Sequence, residues 1–195
     1  MKATTSAVTI TVKAGNGTNY SAADNKTASV TVGRKGVAFP SCSSKTYTAA
    51  SQTLFAAHTS GEYTNSAITG TNVGSYTGDL TPTSNYQWNT TSNKTSATNV
   101  TCKINPKSVA VTWGSTTTFT YNGSAQAPTA SVTTGISAET MSITRTTQTN
   151  AGSYTSTASC SSVSGGRGKC GNYSFTNTTK SFSIIDPIKY YTMSL

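Results

Sequence analysis

One seven-residue phrase occurs twice in the chain and constrains its architecture more than any other feature. Residues 71–77 read TNVGSYT, and residues 149–155 read TNAGSYT. The second copy begins 78 residues after the first, at position 149 instead of 71. This distance is close to the length of a small β-domain. A repeat at domain length predicts tandem modules rather than one continuous fold.

The composition favours an all-β fold. Only 10% of the 195 residues are charged and 34% are hydrophobic, and much of the remainder is Thr, Ser, Asn and Gly. Thr suits half-exposed strands, while Asn and Gly supply turn geometry. Disorder is the alternative for so polar a chain. The apolar residues recur with period two in separate segments, however, and this pattern is typical of strands.

The segment 106–186 predicts seven short strands separated by turn residues such as Asn122 and Gly123. The apolar positions that mark them are Val109 to Trp113, Phe119 with Tyr121, Val132, Met141 with Ile143, Tyr154 with Ala158, Tyr173 with Phe175, and Phe182 with Ile184. Seven strands at this spacing indicate an immunoglobulin-like (Ig-like) β-sandwich.

The segment 36–105 follows the same order and predicts a second Ig-like module. The matching residues are Tyr47 with Tyr121, Gln52 with Gln126, Tyr76 with Tyr154, and Tyr86 with Tyr173. The sequence therefore divides into an N-terminal segment 1–35, modules at 36–105 and 106–186, and a C-terminal tail at 187–195.

The N-terminal segment is similar to the end of a third repeat. Alternating stretches at 8–12 and 28–32 predict two strands, and we expect 34–36 to be a linker. An unpaired apolar strand pair is marginal in water and invites strand addition. We therefore expect neighbouring Ig-like repeats or subunits to contact residues 1–33. Either the chain is cut from a longer array, or a neighbouring chain or the first module completes the sheet.

The repeated phrase resembles the tyrosine corner of Ig-like domains, in which a Tyr hydroxyl ties a strand to the preceding corner. The resemblance assigns this structural role to two sets of residues, namely Asn72, Gly74 and Tyr76 in the first module and Asn150, Gly152 and Tyr154 in the second. Positions 78 and 156 are Gly and Ser, where an antibody domain has a cysteine. The antibody family is therefore excluded.

Three motifs in order resemble the bacterial Ig-like repeats called MBG or YDG. They are YNGSAQ at 121–126, TNAGSYT at 149–155 and NYSFTN at 172–177. Such repeats occur in tandem in large bacterial surface proteins and in some phage structural proteins. The resemblance implies a structural or adhesive module of an extracellular bacterial surface protein. The alternatives are a phage virion decoration or fibre protein and, third, a carbohydrate-binding module.

The four cysteines permit two disulfides. Cys42 precedes the predicted first strand of the first module and Cys102 lies in its last strand, while Cys160 and Cys170 flank a loop of the second module. Of three possible pairings, only Cys42–Cys102 with Cys160–Cys170 keeps each bridge inside one module. That pattern implies an oxidising compartment. A zinc site is disfavoured because the chain has one His and no C-x-x-C spacing, and buried reduced thiols remain the alternative.

The residues predict neither an enzyme nor a cofactor or metal site. With one His and five scattered acids, a base beside a nucleophile has few candidates, and His58 with Ser60 and Glu62 lies in a stretch that we expect to be a solvated loop. No carboxylate pair has catalytic or calcium-binding spacing. Surface bacterial sandwiches sometimes crosslink a Lys to an Asn through a buried acid. Glu139 or Asp79 can serve as that acid, but no Lys occupies a matching strand position in both modules.

Charge and hydropathy limit the partners. The formal net charge is +9, but the 14 basic residues are scattered, so we expect no specific nucleic-acid binding. No apolar run reaches the roughly 18 residues of a membrane span, and the first residues do not resemble a signal peptide.

We expect a protein or glycan partner at a cell or virion surface. Tyr190 and Tyr191 are candidate contacts, whereas Trp88 aligns with Phe175 and is expected in the core.

Overall fold

The computed structural model describes residues 8–12, 26–59, 61–90 and 93–187, and these residues form an almost entirely β structure. Within the described ranges, ten strands precede residue 106: β1 Val8–Val12, β2 Lys26–Val30, β3 Lys35–Val37, β4 Lys45–Thr46, β5 Gln52–Phe55, β6 Tyr63–Thr64, β7 Ile68–Gly70, β8 Gly74–Pro82, β9 Tyr86–Trp88 and β10 Thr98–Asn105. The predicted all-β fold class is confirmed, while the tandem Ig-like organisation stays a prediction.

The seven strands expected in the segment 106–186 are present. They are β11 Lys107–Trp113, β12 Thr118–Thr120, β13 Ala130–Val132, β14 Thr140–Arg145, β15 Gly152–Ser164, β16 Tyr173–Thr176 and β17 Thr179–Ile185. A 3-10 helix, Cys170–Asn172, precedes β16. The alternation of apolar and polar residues explains their positions, because successive side chains of a strand point to opposite faces of its sheet.

Two four-stranded sheets have the same arrangement of strands. Their orders are β4-β10-β8-β6 and β12-β17-β15-β14. In both, a short strand pairs in parallel with the last strand of its segment: Lys45 lies opposite Ile104, and Thr118 lies opposite Ser183. In both, the outer strand at the other edge is antiparallel to its neighbour.

Two further parallel pairings also correspond. β3 pairs with β9, with Lys35 opposite Tyr86, and β11 pairs with β16, with Lys107 opposite Tyr173. Residues 35 and 36, which the sequence predicted in a linker, therefore belong to a strand. The Lys35 backbone N–H donates to the carbonyl oxygen of Asn85 at 2.9 Å, because pairing satisfies backbone groups that a linker leaves to water. Strand β13 extends the second of these pairings to the order β13-β11-β16, and β5 pairs with β7 in a separate two-stranded sheet.

The described residues divide into two compact units. Unit 1 lies within Met1–Ser43, Thr53–Ile68 and Tyr76–Cys102, and unit 2 lies within Ser44–Gln52, Thr69–Ser75 and Lys103–Leu195. Two short segments of the predicted first module, 44–52 and 69–75, thus belong to unit 2. The module boundaries at 36–105 and 106–186 stay a prediction, and residues 188–195 of the predicted tail lie outside the described residues.

Each unit has its own apolar core. The buried apolar side chains of unit 1 are Leu54, Ile68, Leu80, Trp88 and Val100. Those of unit 2 include Val109, Val111, Ala127, Phe182 and Ile184. Trp88 is fully buried, as its alignment with Phe175 predicted, and the ring of Phe39 packs against it edge-on with centroids 5.0 Å apart.

Strands β1 and β2 form an antiparallel hairpin with one apolar face. Val8 lies opposite Val30, and Ile10 lies opposite Ala28. Because side chains alternate along a strand, these residues share one face with Val12 and, at its end, Lys26, while the other face carries Thr and Ser. The large apolar side chains of this face are 46–65% exposed. Among the described residues, no third strand pairs with the hairpin. The second strand begins two residues earlier than the sequence predicted.

Candidate functional site

A buried carboxylate in unit 2 is bound by two tyrosines. Glu139, immediately before β14, is only 5% exposed. The Tyr47 hydroxyl donates to its Oε1 atom at 2.6 Å, and the Tyr173 hydroxyl donates to its Oε2 atom. The two rings pack edge-to-face with centroids 5.6 Å apart. A buried charge is tolerated only when hydrogen bonds replace the lost water, and here each carboxylate oxygen has a donor.

Local backbone structure places the three residues. Tyr47 directly follows β4, and its N–H donates to the carbonyl oxygen of Asn105 at 3.0 Å. Tyr173 begins β16 opposite Lys107 of β11. Glu139 closes a turn in which the Thr134 hydroxyl donates to the Glu139 carbonyl oxygen at 3.0 Å. The side chains that meet in this cluster therefore come from three separate parts of the sequence.

Asn172 extends the cluster with amide hydrogen bonds. Its buried side chain accepts from the Val73 N–H at 3.0 Å and donates to the Asn72 Oδ1 atom at 3.1 Å. It also contacts the Arg167 carbonyl oxygen at 3.4 Å. We call Glu139, Tyr47, Tyr173, Asn172 and Asn72 the Glu139 cluster. Within unit 2, this cluster joins the segments 44–52 and 69–75 to the residues that follow 103.

Burial and the hydrogen bonds to Glu139 keep both tyrosines of the cluster protonated above pH 10, where an exposed tyrosine ionises. Burial, followed by the hydrogen bond to Glu139, raises the pKa of Tyr47 to about 12. The same two causes, in the same order, raise the pKa of Tyr173. Both hydroxyls are therefore donors to the carboxylate. Each oxygen of the Glu139 carboxylate accepts one of these hydroxyl hydrogen bonds, so the cluster connects three segments of unit 2.

The two acids proposed for a Lys–Asn crosslink differ in the structure. Glu139 is buried, whereas Asp79 is exposed on β8. The hydroxyl donors of Glu139 are tyrosines, which sequence reasoning did not assign to it. One feature could have marked Glu139 as a structural residue, namely a position that it shares with Glu62. Glu139 immediately precedes β14, and Glu62 immediately precedes β6.

Tyr121, the counterpart of Tyr47, has the same backbone setting but a different environment. The Tyr121 N–H donates to the Ile185 carbonyl oxygen at 2.8 Å, as Tyr47 does to Asn105. The neighbouring glutamines also correspond: Gln126 donates to the Thr120 carbonyl oxygen at 3.1 Å, and Gln52 donates to that of Thr46 at 3.0 Å. Tyr47 is 1% exposed, however, and Tyr121 is 45% exposed.

The four cysteines form two disulfides, Cys42–Cys102 and Cys160–Cys170, with Cα–Cα distances of 5.3 and 5.7 Å. None of them is free, so neither reduced thiols nor a zinc site describes this structure. Two positions differ from the prediction. Cys42 lies after β3, because the first strand begins earlier than expected, and Cys160 lies inside β15, because that strand continues to Ser164.

The predicted tyrosine corner of the second module has one long hydrogen bond. The Tyr154 hydroxyl lies 3.5 Å from the Ala151 carbonyl oxygen. A Cβ atom at Gly152 would lie 2.8 Å from that hydroxyl, so the ring approaches the backbone too closely for a larger residue. Asn150 is exposed.

The corresponding residues of the first module have different contacts. Asn72 binds Asn172 in the Glu139 cluster. Gly74 begins β8, and Tyr76 is half-buried within that strand. The shared role of the two corners stays a prediction.

Other candidate residues are dispersed. His58 is exposed and stacks on Tyr63 with ring centroids 4.7 Å apart. In the part of the chain that the structure describes, no three His, Cys, Asp or Glu side chains are grouped as metal ligands. No helix of the described ranges is long and apolar enough to span a membrane. Tyr190 and Tyr191, the predicted contact residues, lie outside the described residues.

Comparison with known proteins identifies no relative. No protein-family model matches the chain, and neither curated proteins nor solved structures give a significant match.

Proposed function

We propose that the chain is a structural or adhesive module, without catalytic activity, of an extracellular bacterial surface protein, built from tandem Ig-like repeats of the MBG/YDG type. The observation that carries the proposal is the arrangement of the two four-stranded sheets. They have the same strand order and the same parallel edge pairing. Repeats of one β unit suit proteins that space or present binding surfaces.

The glutamine hydrogen bonds support the repeat. Gln52 and Gln126 each donate to a backbone carbonyl six residues earlier, that of the last residue of the parallel edge strand. A shared contact at this level of detail indicates that the two segments have the same local fold.

The disulfides support an extracellular location. Small β modules bury a limited core, and disulfides form and persist mainly in oxidising compartments. The bridge between Cys42 and Cys102 closes a separation of 60 residues. In the chain-entropy treatment, such a loop contributes about 4 kcal/mol to the free energy of unfolding.

The buried acid supports a role without catalysis. General acid–base chemistry needs a carboxyl group that reaches a substrate. Both oxygens of Glu139 accept hydroxyl hydrogen bonds inside unit 2, so this acid holds the structure together.

Antibody labelling tests the proposal. Intact cells, permeabilised cells and purified phage particles from the organism that carries the gene are labelled with antibody raised against the chain. We expect labelling of intact cells. Labelling that appears only after permeabilisation, with none on particles, would rule the proposal out. Labelling of particles alone would establish the virion alternative.

A phage virion decoration or fibre protein is the second candidate, and the exposed hairpin favours it. An apolar hairpin of this kind can complete a sheet in a neighbouring subunit. The predicted partners at residues 1–33 are neighbouring Ig-like repeats or subunits. Under this alternative, the purified chain forms a discrete oligomer.

Two variants separate the faces of the hairpin. Ile10→Lys places a charge on its apolar face, and Thr9→Lys places the same charge on its polar face. In the virion alternative, Ile10→Lys abolishes the discrete oligomer in size-exclusion chromatography and Thr9→Lys preserves it. In the surface-module proposal, both variants elute like the wild-type chain.

A further inference from the structure

The Glu139 cluster is a contact between two sets of residues that come from successive segments of the chain. Tyr47 and Asn72 form the first set, which we call the donor pair. Glu139, Asn172 and Tyr173 form the second, which we call the receptor set. All five belong to unit 2, and Tyr47 and Asn72 each form a side-chain hydrogen bond to the receptor set.

The chain carries a second copy of the donor pair, Tyr121 and Asn150. Tyr121 has the backbone hydrogen bond of Tyr47, and Asn150 occupies the place of Asn72 in the repeated phrase. In contrast with the first pair, Tyr121 is 45% exposed and Asn150 is exposed. Tyrosine is typical of protein interfaces, because its side chain combines an apolar ring with a polar hydroxyl.

The chain also carries a second copy of the receptor set, Glu62, Asn85 and Tyr86, in unit 1. Glu62 immediately precedes β6, as Glu139 immediately precedes β14. Tyr86 lies opposite Lys35 in a parallel pair, as Tyr173 lies opposite Lys107. Asn85 precedes Tyr86, as Asn172 precedes Tyr173.

Within the second receptor set, Asn85 is exposed, whereas Glu62 and Tyr86 are half-buried. The Glu62 side chain is 44% exposed and forms an ion pair with the Lys35 ammonium at 3.3 Å. The Lys35 side chain is 70% exposed, and its ammonium lies 5.8 Å from the centroid of the Tyr86 ring. Exposed ion pairs of this kind contribute little to stability, so the carboxylate can accept another donor without a large loss.

We propose that Tyr121 and Asn150 of one copy of this chain bind Glu62, Asn85 and Tyr86 of a second copy, and so repeat between chains the contact that Tyr47 makes with Glu139. The proposal rests on the repeat organisation proposed above. The Tyr121 hydroxyl donates to the Glu62 carboxylate, and the Asn150 amide pairs with that of Asn85. A hydrogen bond to a carboxylate is about twice as strong as one between neutral groups.

The contact is heterologous, because the donor pair and the receptor set are different surfaces. Each copy offers one of each, so association continues from copy to copy unless the geometry closes a ring. Because few residues take part, the affinity is low, and association is expected at the high local concentrations of a crowded surface.

Sedimentation equilibrium of the full chain tests the proposal through two complementary variants. Tyr121→Ala loses the donor and keeps the receptor, whereas Glu62→Ala loses the receptor and keeps the donor. Both sites are exposed, and circular dichroism verifies that each variant is folded. Concentrations run from about 10 µM to about 1 mM, which covers weak contacts.

We expect the wild-type chain to associate with no fixed stoichiometry and each variant alone to stay monomeric. An equimolar mixture of the two variants should form a heterodimer that does not grow further, because only one intact donor and one intact receptor remain. Tyr121→Phe, which removes only the hydroxyl, should weaken association about tenfold or more. Ile10→Lys on the hairpin should leave the association of the chain unchanged.

Three results would overturn the proposal: a wild-type chain that stays monomeric up to 1 mM, association that survives both alanine variants, or a mixture that stays monomeric. Association lost in Ile10→Lys but kept in Tyr121→Ala would assign the contact to the hairpin instead. These measurements use purified protein and are independent of the labelling of cells. A failure here with labelled intact cells would therefore leave the proposed surface function in place.

Discussion

Replacing Tyr47 by Phe tests the Glu139 cluster directly. The substitution removes one hydroxyl and keeps the ring, so the edge-to-face packing on Tyr173 is preserved. It takes from Glu139 the donor that now lies 2.6 Å from its Oε1 atom. Because Tyr47 is 1% exposed, water does not take the place of the hydroxyl without rearrangement.

The expected loss follows from these contacts. A hydrogen bond to a charged group contributes about 1.5–3 kcal/mol net, and a buried acceptor left without its donor costs a similar amount. We therefore expect Tyr47→Phe to lower the free energy of unfolding by about 2 kcal/mol. The matched control is Tyr121→Phe, which makes the same chemical change at the exposed counterpart. Its effect should stay within about 0.5 kcal/mol.

Guanidinium unfolding at pH 7 with intact disulfides measures both variants. Protein at about 1 µM keeps weak association out of the measurement. The reasoning would be refuted if Tyr47→Phe were as stable as the wild-type chain, or if Tyr121→Phe lost as much stability as Tyr47→Phe.

Three further outcomes follow from the structure. The free energy of unfolding should fall as the pH rises from 10 to about 12, because folding raises the pKa of Tyr47 from 10.0 to about 12. The stability that this shift contributes is fully present only below the unfolded pKa. Guanidinium midpoints across this pH range should show the fall, and Tyr47→Phe should make the fall smaller. Replacing Cys42 and Cys102 by Ser should cost about 4 kcal/mol in the same assay, because the bridge closes a separation of 60 residues. Gly165→Ala should cost about 1–3 kcal/mol more than Gly123→Ala, since both have a positive φ but only at Gly165 would the new Cβ overlap a backbone carbonyl oxygen.

Local patterns in the sequence predicted the strands because the side-chain period of a strand is a local property. Tyr154 with Ala158 and Phe182 with Ile184 lie in β15 and β17 as expected. Aligning Trp88 with Phe175 also identified a core position, since equivalent strand positions face the same side of a sheet.

The Glu139 cluster could not be predicted in the same way because its contacts are distant in sequence. Glu139 is 92 residues from Tyr47 and 34 from Tyr173. Tyr47 and Tyr121 show why a local pattern does not predict burial. They share a local motif and a backbone hydrogen bond, yet Tyr47 is buried and Tyr121 is 45% exposed. Their environments are decided by which segments pack over them, and the periodicity of one strand contains no information about this.

The thiol state of the chain in its natural setting tests the central claim most directly, namely that this is a disulfide-bonded module of an extracellular surface. Cells are treated with a thiol-alkylating reagent before lysis, and the mass of the isolated chain is measured with and without reductant. We expect no alkylation and a mass about 4 Da below that of the reduced chain, because two bridges remove four hydrogens. A chain alkylated at all four cysteines would show that it resides in a reducing compartment and would contradict the account.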